Sequence, residues 1–306
     1  MIHSFVRNTV AWLLSAYYLS GSKMRHLKKA SSKGEILLSI YFHNPSHTLF
    51  TSCVLWLKKK GFAFISVAEL QDIIANKKPL PPSSVVLTVD DGWKENKENI
   101  AQVAEQLQVP VTIFISTEPV EKEKRFWWSV VEDGIKNRLT NKQIGELKHI
   151  PDEEKVKIIE QIENQLPKKR DALTIDEVKE IANGNFITIG SHTVSHPILT
   201  QCKNEQSLFE INASKKKLED WLKKPVTSFA YPNGMYGERE KKYLTDGGYT
   251  IAFNTIPEYI TRETLNTPFD IPRFDVLEEV SLMENYCRMT GIWFQRKNKK
   301  RESYGI

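Results

Sequence analysis

The stretch VVLTVDDGW, residues 85–93, places two aspartates directly after an almost unbroken β-branched run. A turn-forming segment at residues 79–84 precedes the run, and Gly92 ends it. A continuous apolar run between turn signals predicts a strand buried on both faces, as in parallel sheets. Two adjacent carboxylates at the end of such a strand repel each other unless one is protonated or a cation lies between them. A solvated turn with an Asx hydrogen bond is the alternative interpretation of Asp90 and Asp91.

Strand patterns alternate with helix patterns along the chain. The strand patterns cover residues 36–42, 62–66, 85–89, 111–116, 186–190, 226–231, 250–254 and 271–274. The main helix patterns cover residues 49–60, 66–74, 96–107, 174–183 and 208–223. Such alternation implies parallel βαβ units. We therefore predict an α/β fold, a distorted or incomplete (β/α) barrel with about seven parallel strands and a helical insertion at residues 120–172.

The sequence predicts one large domain at residues 35–290, preceded by an amphipathic helix and basic segment at 1–34 and followed by a basic tail at 291–306. The composition, 40% hydrophobic and 26% charged, is ordinary for a soluble globular protein. The basic residues are not interleaved with aromatic residues on a folded face, so we predict no nucleic-acid partner. Three widely spaced cysteines form no disulfide framework, which favours a reducing compartment.

The apolar residues of the first segment recur at helical spacing. They are Val6, Val10, Leu13, Leu14, Tyr17 and Tyr18. The apolar core, at about ten residues, is too short to span a bilayer. Three alternatives stay open for this helix: packing on the domain, contact with an anionic membrane surface, or a signal sequence. We predict a cytoplasmic protein with peripheral contact to the inner face of the membrane, and a secreted form is the alternative.

Polar residues follow several of the predicted strands. They are His43 and Asn44, Asp90 and Asp91, His192 and His196, Tyr231 to Asn233, and Arg273 with Asp275. In (β/α) barrels the catalytic residues stand at the carboxyl ends of the strands. We therefore expect these side chains to gather on one rim of the barrel.

The two histidines of SHTVSHP, residues 191–197, lie four positions apart. On a helical turn both imidazoles would project from the same side, whereas two unrelated surface histidines are the alternative. With a strand-end carboxylate they form a two-histidine, one-carboxylate site for one divalent ion, with water in the remaining position. Zinc is the predicted ion, and cobalt, nickel or manganese are alternatives. Such an ion lowers the pKa of its water from about 15.7 to about 7, and the second aspartate would take the proton.

Five segments together resemble the motifs of a known family. They are LTVDDGW, SHTVSHP, FAYPNG, VPVTIFIS and IPRFDV. The family is that of the polysaccharide deacetylases (carbohydrate esterase family 4, the NodB-homology domain), in the form found in exopolysaccharide and surface-glycan deacetylases. The first three segments resemble the first, second and third family motifs, and the resemblance covers about residues 35–280.

The resemblance implies a role for each matching residue. The general base would be Asp90, and the metal ligands would be Asp91, His192 and His196. The backbone around Pro232 and Asn233 would line the acetyl pocket and help to form the oxyanion hole. We predict that five residues contact the substrate: Trp93, Tyr231, Pro232, Asn233 and Arg273.

Two departures from the family pattern concern the proton transfers. Ala230 stands where many members carry an arginine that orients the base, and we predict that Arg273 substitutes for it. Many members also have a late histidine as general acid, but none of the seven histidines follows His196. We predict that His43, after the first strand, is the acid. The alternative is that His43 only caps the strand or hydrogen-bonds in a loop with Asn44.

These features predict a metal-dependent hydrolase that removes N-acetyl groups from an amino sugar of a surface polysaccharide or its precursor. The predicted partner is therefore an N-acetylated glycan. A deformylase or deacetylase of a lipid-linked sugar or of peptidoglycan is one alternative. A catalytically weak glycan-binding module of the same fold is another. Trp93 is expected to line the cleft, whereas the aromatic segment at residues 126–128 is interpreted as core packing between insertion and barrel.

Overall fold

The structure, a computed structural model, describes residues 2–294 and the side chains of residues 9–294. The strands are β1 (Ile36–Phe42), β2 (Ala63–Phe64), β3 (Ser84–Val89), β4 (Val111–Ile115), β5 (Ile187–Ser191), β6 (Ser228–Ala230), β7 (Ile251–Phe253), β8 (Ile260–Thr261) and β9 (Phe274–Asp275). The first seven helices are α1 (Ile2–Ser20), α2 (Ser22–Ser32), α3 (His47–Lys59), α4 (Val67–Ala75), α5 (Gln102–Leu107), α6 (Thr117–Glu121) and α7 (Trp127–Lys136). The others are α8 (Ile144–Leu147), α9 (Asp152–Glu163), α10 (Ile175–Ala182), α11 (Asn204–Leu222), α12 (Glu238–Asp246) and α13 (Leu282–Met289). Most of the predicted basic tail, from residue 295 onward, lies outside the described residues.

The strands form one curled sheet in the order β7-β6-β5-β4-β3-β1-β8. Every pair from β7 to β1 is parallel, and among the strands of residues 2–294 only the edge strand β8 pairs antiparallel. Two short strands, β2 and β9, add parallel pairs to β3 and β1. A bridge between Phe253 and Ile271 brings the segment before β9 back to β7. The predicted distorted or incomplete (β/α) barrel is confirmed.

The central strands are buried on both faces. All residues of β3 and of β4 are buried, as their continuous apolar runs predict. Alternate residues of β3 enter different cores: Val85, Leu87 and Val89 pack in the larger cluster, and Val86 packs in a second one. This rigid parallel scaffold positions the residues that follow each strand.

Local sequence signals define the start of two helices. Ser66 and Glu69 make a capping box at α4, and Thr174 and Glu177 make one at α10. The predicted helical insertion contains α7 to α9 and has a hydrophobic cluster of its own, which includes Trp127. One edge of this insertion reaches the rim of the barrel.

The helix α1 packs against α13 through a narrow face. Ala11 and Ser15 are buried there, and the Cys287 thiol donates to the Ser15 carbonyl oxygen at 3.4 Å. Val10 and Leu13 on the remaining surface are exposed. Among the described residues, every helix is too short or too polar to cross a membrane.

Candidate active site

The register of the parallel strands brings the predicted site residues to one rim. Phe42 pairs with Val89, so His43 and Asp90 follow side by side, and the Asp90 N–H donates to the Phe42 carbonyl oxygen at 2.9 Å. On β4 and β5, Ile115 pairs with Ser191, and His192 follows directly. Because the carboxyl ends of parallel strands meet at one edge, these residues face a common space.

That space is a cavity of about 240 Å³. Seven of the predicted site residues line it: His43, Asp90, Asp91, Trp93, His192, His196 and Asn233. Five further residues complete its wall: Trp127, Trp128, Ile144, Lys148 and Thr255. The structure therefore brings together the base, acid and ligand candidates, while their chemical roles stay predictions.

A tight turn presents the Asp91 side chain. Asp91 and Gly92 have φ angles of +79° and +87°. A Cβ atom on Gly92 would lie 2.7 Å from the Ile115 Cδ1 atom, so this turn requires glycine. The Trp93 indole N–H donates to Asp91 Oδ2 at 2.9 Å. Asp91 Oδ1 is buried and has no hydrogen-bond donor within the part of the chain that the structure describes.

The histidine loop differs from the helical turn that the spacing predicted. Residues 192–196 form no helix, and Thr193 and His196 have φ angles of +69° and +56°. The buried Glu210 on α11 holds this loop by accepting two of its backbone N–H groups at 2.8 and 2.9 Å. The two imidazole rings still meet, with centroids 4.8 Å apart. Their convergence is thus produced by loop geometry and by Glu210, rather than by helical periodicity.

Both imidazoles are prepared to accept a cation. The Ala230 carbonyl oxygen lies 2.7 Å from His192 Nδ1, so this nitrogen donates and Nε2 keeps its lone pair. Burial, with repulsion from His192 as the next cause, lowers the pKa of His196 to about 3 and keeps the ring neutral. The Trp127 indole donates to the His196 carbonyl oxygen at 3.1 Å, which ties the loop to the insertion.

The three side chains fit a divalent ion. Asp91 Oδ1 lies 3.5 Å from the Nε2 atoms of both His192 and His196, and all three atoms lie within 4.8 Å of one another. An unbonded buried carboxylate oxygen facing two imidazole nitrogens is the donor set of an open zinc-type site. The residues present therefore fit the ion that the sequence predicts.

Asp90 is held by a buried arginine. Arg273 Nη1 and Nη2 each donate to one carboxylate oxygen at 2.8 Å, and its Nε donates to the Asn254 carbonyl oxygen at 2.9 Å. The guanidinium also lies 4.5 Å from the centroid of the Tyr41 ring. Burial is the largest single influence on Asp90 and by itself raises its pKa. Attraction to Arg273 and to His192, together with the hydrogen bonds from Arg273, outweighs burial, and the net pKa is lowered. Asp90 is thus an oriented, ionised carboxylate beside the ligand set.

Three of the five predicted substrate contacts do not line the cavity. The Tyr231 and Arg273 side chains are fully buried, and Pro232 is also buried. Tyr231 stacks on Tyr236, and its hydroxyl donates to the Phe269 carbonyl oxygen at 3.1 Å. These side chains are packed and hydrogen-bonded inside the protein and do not face the cavity, so their contact with substrate stays a prediction. Arg273 contacts Asp90, which is the contact expected of a residue that substitutes for the base-orienting arginine.

Several lining residues were missed or interpreted differently from sequence. Phe126 is a fully buried core residue, as the packing interpretation predicted, but Trp127 and Trp128 line the cavity. Thr255 follows β7, so the strand-end pattern could have identified it. Lys148 and Ile144 lie in the insertion, where no local pattern marks them.

Replacing Arg273 with methionine is expected to lower the free energy of unfolding by about 3–5 kcal/mol, because it leaves the buried Asp90 carboxylate without its partner. Chemical denaturation measures this loss. The double variant Asp90→Asn with Arg273→Met should be less destabilised than Arg273→Met alone, since no unpaired charge remains.

Arg288→Met is the matched control, because Arg288 pairs with Asp275 in a less buried position and does not contact Asp90. If Arg273→Met and Arg288→Met lowered the free energy of unfolding equally, the Arg273–Asp90 pair would not be the more stabilising of the two ion pairs, contrary to this prediction.

Comparison with known proteins places this geometry in a family. The sequence profile of the polysaccharide deacetylases matches residues 77–252. A Bacillus subtilis (strain 168) protein assigned to the polysaccharide deacetylases, YxkH, is 23% identical over 214 residues, which are 70% of this chain and 60% of that protein. The poly-β-1,6-N-acetyl-D-glucosamine N-deacetylase of Escherichia coli (strain K12) is 29% identical over 82 residues, 25% of this chain and 12% of the enzyme. The chain thus spans less than two thirds of either relative.

Solved structures show the same fold. The deacetylase PplD of Streptococcus pyogenes, in complex with acetate, aligns with a TM-score of 0.60 at 17% identity, over 83% of this chain and 98% of that one. IcaB from Ammonifex degensii aligns with a TM-score of 0.60 at 16% identity, over 85% and 97%. Because the family profile covers more than half of the sequence, this chain belongs to the polysaccharide deacetylase family.

Proposed function

We propose that this protein is a metal-dependent hydrolase that removes N-acetyl groups from an amino sugar of a surface polysaccharide or its precursor. One observation carries the proposal: a single cavity holds an aspartate–histidine–histidine set directly beside an arginine-bound carboxylate. Amide hydrolysis needs an activated water, a stabilised oxyanion and a proton for the leaving amine. The cavity offers side chains for each of these requirements.

Asp90 is placed to receive the proton of the attacking water. Both of its oxygens are bonded to Arg273, so the carboxylate is fixed in orientation and kept ionised before the reaction starts. A proton gained at this carboxylate would then have to reach the leaving amine, directly or through His43 on the same wall.

The segment after β6 supplies a donor for the oxyanion. The Tyr231 N–H donates to the Phe253 carbonyl oxygen, Pro232 has no N–H, and the Gly234 N–H donates to the Tyr231 carbonyl oxygen. Among the described residues, this leaves the Asn233 N–H without a backbone acceptor, and Asn233 lines the cavity. We assign the oxyanion contact to this group.

A divalent ion held by Asp91, His192 and His196 would supply Lewis-acid polarisation of the amide carbonyl and an activated water. Zinc fits the mixed nitrogen and oxygen set best. The substrate class is supported by the Escherichia coli relative, whose name specifies an N-acetylated glucosamine polymer. A deformylase of a lipid-linked sugar and a peptidoglycan deacetylase would use the same chemistry, and the test below distinguishes them from the proposed activity.

The direct test is mass spectrometry of candidate acetylated glycans after incubation with protein loaded with zinc. We expect loss of an acetyl group, release of acetate and about one bound ion for each chain. Loss of a formyl group would identify the deformylase instead. Glycan binding with no bound ion and no turnover would favour a binding module and contradict the proposal.

We also propose that the protein acts in the cytoplasm, at the inner face of the membrane. The sequence supports this through its cysteine usage. In the structure, α1 leaves Val10, Leu13 and Tyr17 on one side with 49%, 57% and 71% of their surface exposed. The adjoining α2 contains four lysine or arginine residues, one histidine and no acidic residue. Together, an apolar face and a basic helix match an anionic lipid surface.

We expect the full chain to sediment with anionic liposomes at low salt and to detach as salt rises, because the attraction of basic side chains is screened. The variant Leu13→Glu with Tyr17→Glu should stay in the supernatant. Neutral liposomes are the control for charge. A soluble protein insensitive to salt would contradict membrane contact, and cleavage near residue 22 in cells would contradict the cytoplasmic location.

A further inference from the structure

Lys148 is the one lysine on the wall of the described cavity. It follows α8 in the insertion and is partly buried, beside Ile144 and near the two tryptophans of the same wall. Among the described residues, no carboxylate oxygen lies within 4.0 Å of its ammonium group. Most other lysines of the insertion are exposed to solvent, so Lys148 is unusual in being partly buried. The cavity therefore holds a partly desolvated cation without a direct counter-ion.

The other charges of the cavity do not neutralise Lys148. Within the part of the chain that the structure describes, two carboxylates line it, Asp90 and Asp91. The Asp90 charge is already balanced by the two hydrogen bonds from Arg273. Asp91 faces the two histidines, and a divalent ion there would more than offset its charge. With the ion bound, the cavity therefore has an excess of positive charge.

The electrostatics of Lys148 agree with this description. Burial lowers the pKa of Lys148, and attraction to Asp91 opposes that shift only in part. A buried or partly buried ammonium group is stabilised when an anion comes within contact distance. In the free protein, this stabilisation is missing.

Resting on the proposed function, we propose that Lys148 is a specificity-determining residue that selects an anionic glycan, one that has a phosphate or carboxylate group next to the N-acetylated sugar. The sugar would enter beside the tryptophans, with its acetamido group toward Asp91 and its anionic neighbour at Lys148. Phosphodiester-linked sugars and uronic acids share the required chemistry.

The experiment compares three N-acetylglucosamine oligosaccharides of equal length. One is neutral and β-1,4-linked, one alternates with glucuronic acid, and one has phosphodiester linkages. For the wild-type protein, we expect KM to be lower for at least one anionic oligosaccharide by about tenfold, which corresponds to about 1.4 kcal/mol. This advantage should shrink as salt rises. Comparing the carboxylate with the phosphate oligosaccharide identifies the source of the charge.

The variant Lys148→Glu should raise KM for the anionic oligosaccharide about tenfold or more, and this rise should be much larger than any change in KM or kcat with the neutral oligosaccharide. Lys148→Arg should retain the preference. Lys142→Glu is the matched control, because Lys142 is an exposed lysine of the same insertion that does not line the cavity. It changes the net charge equally and should leave the preference intact.

Equal losses on neutral and anionic oligosaccharides would overturn the proposal, and so would a fall in kcat alone, which would indicate proton donation by Lys148. Calorimetric binding of the deacetylated oligosaccharides gives a readout independent of turnover. If no oligosaccharide releases acetate, the proposed hydrolase fails, yet weaker binding of the anionic one to Lys148→Glu still supports the subsite. If acetate is released equally from neutral and anionic oligosaccharides, the hydrolase proposal stands and the anion-binding role of Lys148 is wrong.

Discussion

Alanine in place of Asp91, His192 or His196 is expected to remove the bound ion and the deacetylase activity together. Each substitution deletes one of the three atoms that converge within 4.8 Å, and two protein ligands hold a divalent ion poorly. Metal analysis of the purified variants and acetate release on the preferred glycan are the paired measurements. Turnover should fall to the background of the assay in all three variants.

Asp90→Asn separates the base from the ligands. This variant should keep the ion and lose about 10²–10⁴-fold in kcat, because asparagine fills the space but cannot take the proton. Its fold should be checked by thermal unfolding, since Arg273 loses its ionic partner. If Asp90→Asn released the ion while Asp91→Asn retained it, the assignment of the two aspartates would be reversed.

The second large effect is expected at His43. It lines the cavity next to Asp90, it is exposed to solvent, and its ring lies edge-on to Tyr41 at 5.4 Å. If it protonates the leaving amine, His43→Ala should keep the ion and lose about 10²–10⁴-fold in kcat. The loss should be much smaller with activated aryl acetates, whose leaving groups need little protonation.

His47→Ala is the matched control for His43. His47 is the first residue of α3, is also exposed, and does not line the cavity, so its replacement should leave kcat unchanged. Equal losses on amide and aryl ester substrates in His43→Ala would indicate that His43 positions the sugar. No loss on either substrate would assign the acid role to another group, such as protonated Asp90.

The elements of this fold were accessible from local patterns. The buried strand before Asp90 was predicted at residues 85–89 and observed as Ser84–Val89, and β1 was predicted with its observed bounds. Both capping boxes formed where the Ser/Thr and Glu spacing required. These features depend on neighbouring residues and on the two-residue or 3.6-residue periods, so one sequence is sufficient to show them.

The gathering of His43, Asp90, Asp91, His192, His196 and Asn233 was also predictable. Each follows a strand, and the parallel direction of all central strands sends their carboxyl ends to one rim. The expectation of a common rim holds for these six residues. It failed for Tyr231, because adjacency to a strand does not tell which way a side chain points, and here the ring packs inward on Tyr236.

The tertiary structure alone decided the contacts between distant parts of the chain. The Arg273 guanidinium meets the Asp90 carboxylate across 183 residues of sequence because β9 pairs directly with β1, beside β3. The insertion folds back so that Lys148 and Trp128 form a wall of the cavity, and Glu210 on α11 shapes the histidine loop. The sequence by itself thus determined the strands and the chemical groups at their ends, since local periodicity and strand direction specify both. Which charge each group meets depended on packing between separate elements, because burial and long-range pairing arise only when the whole chain has folded.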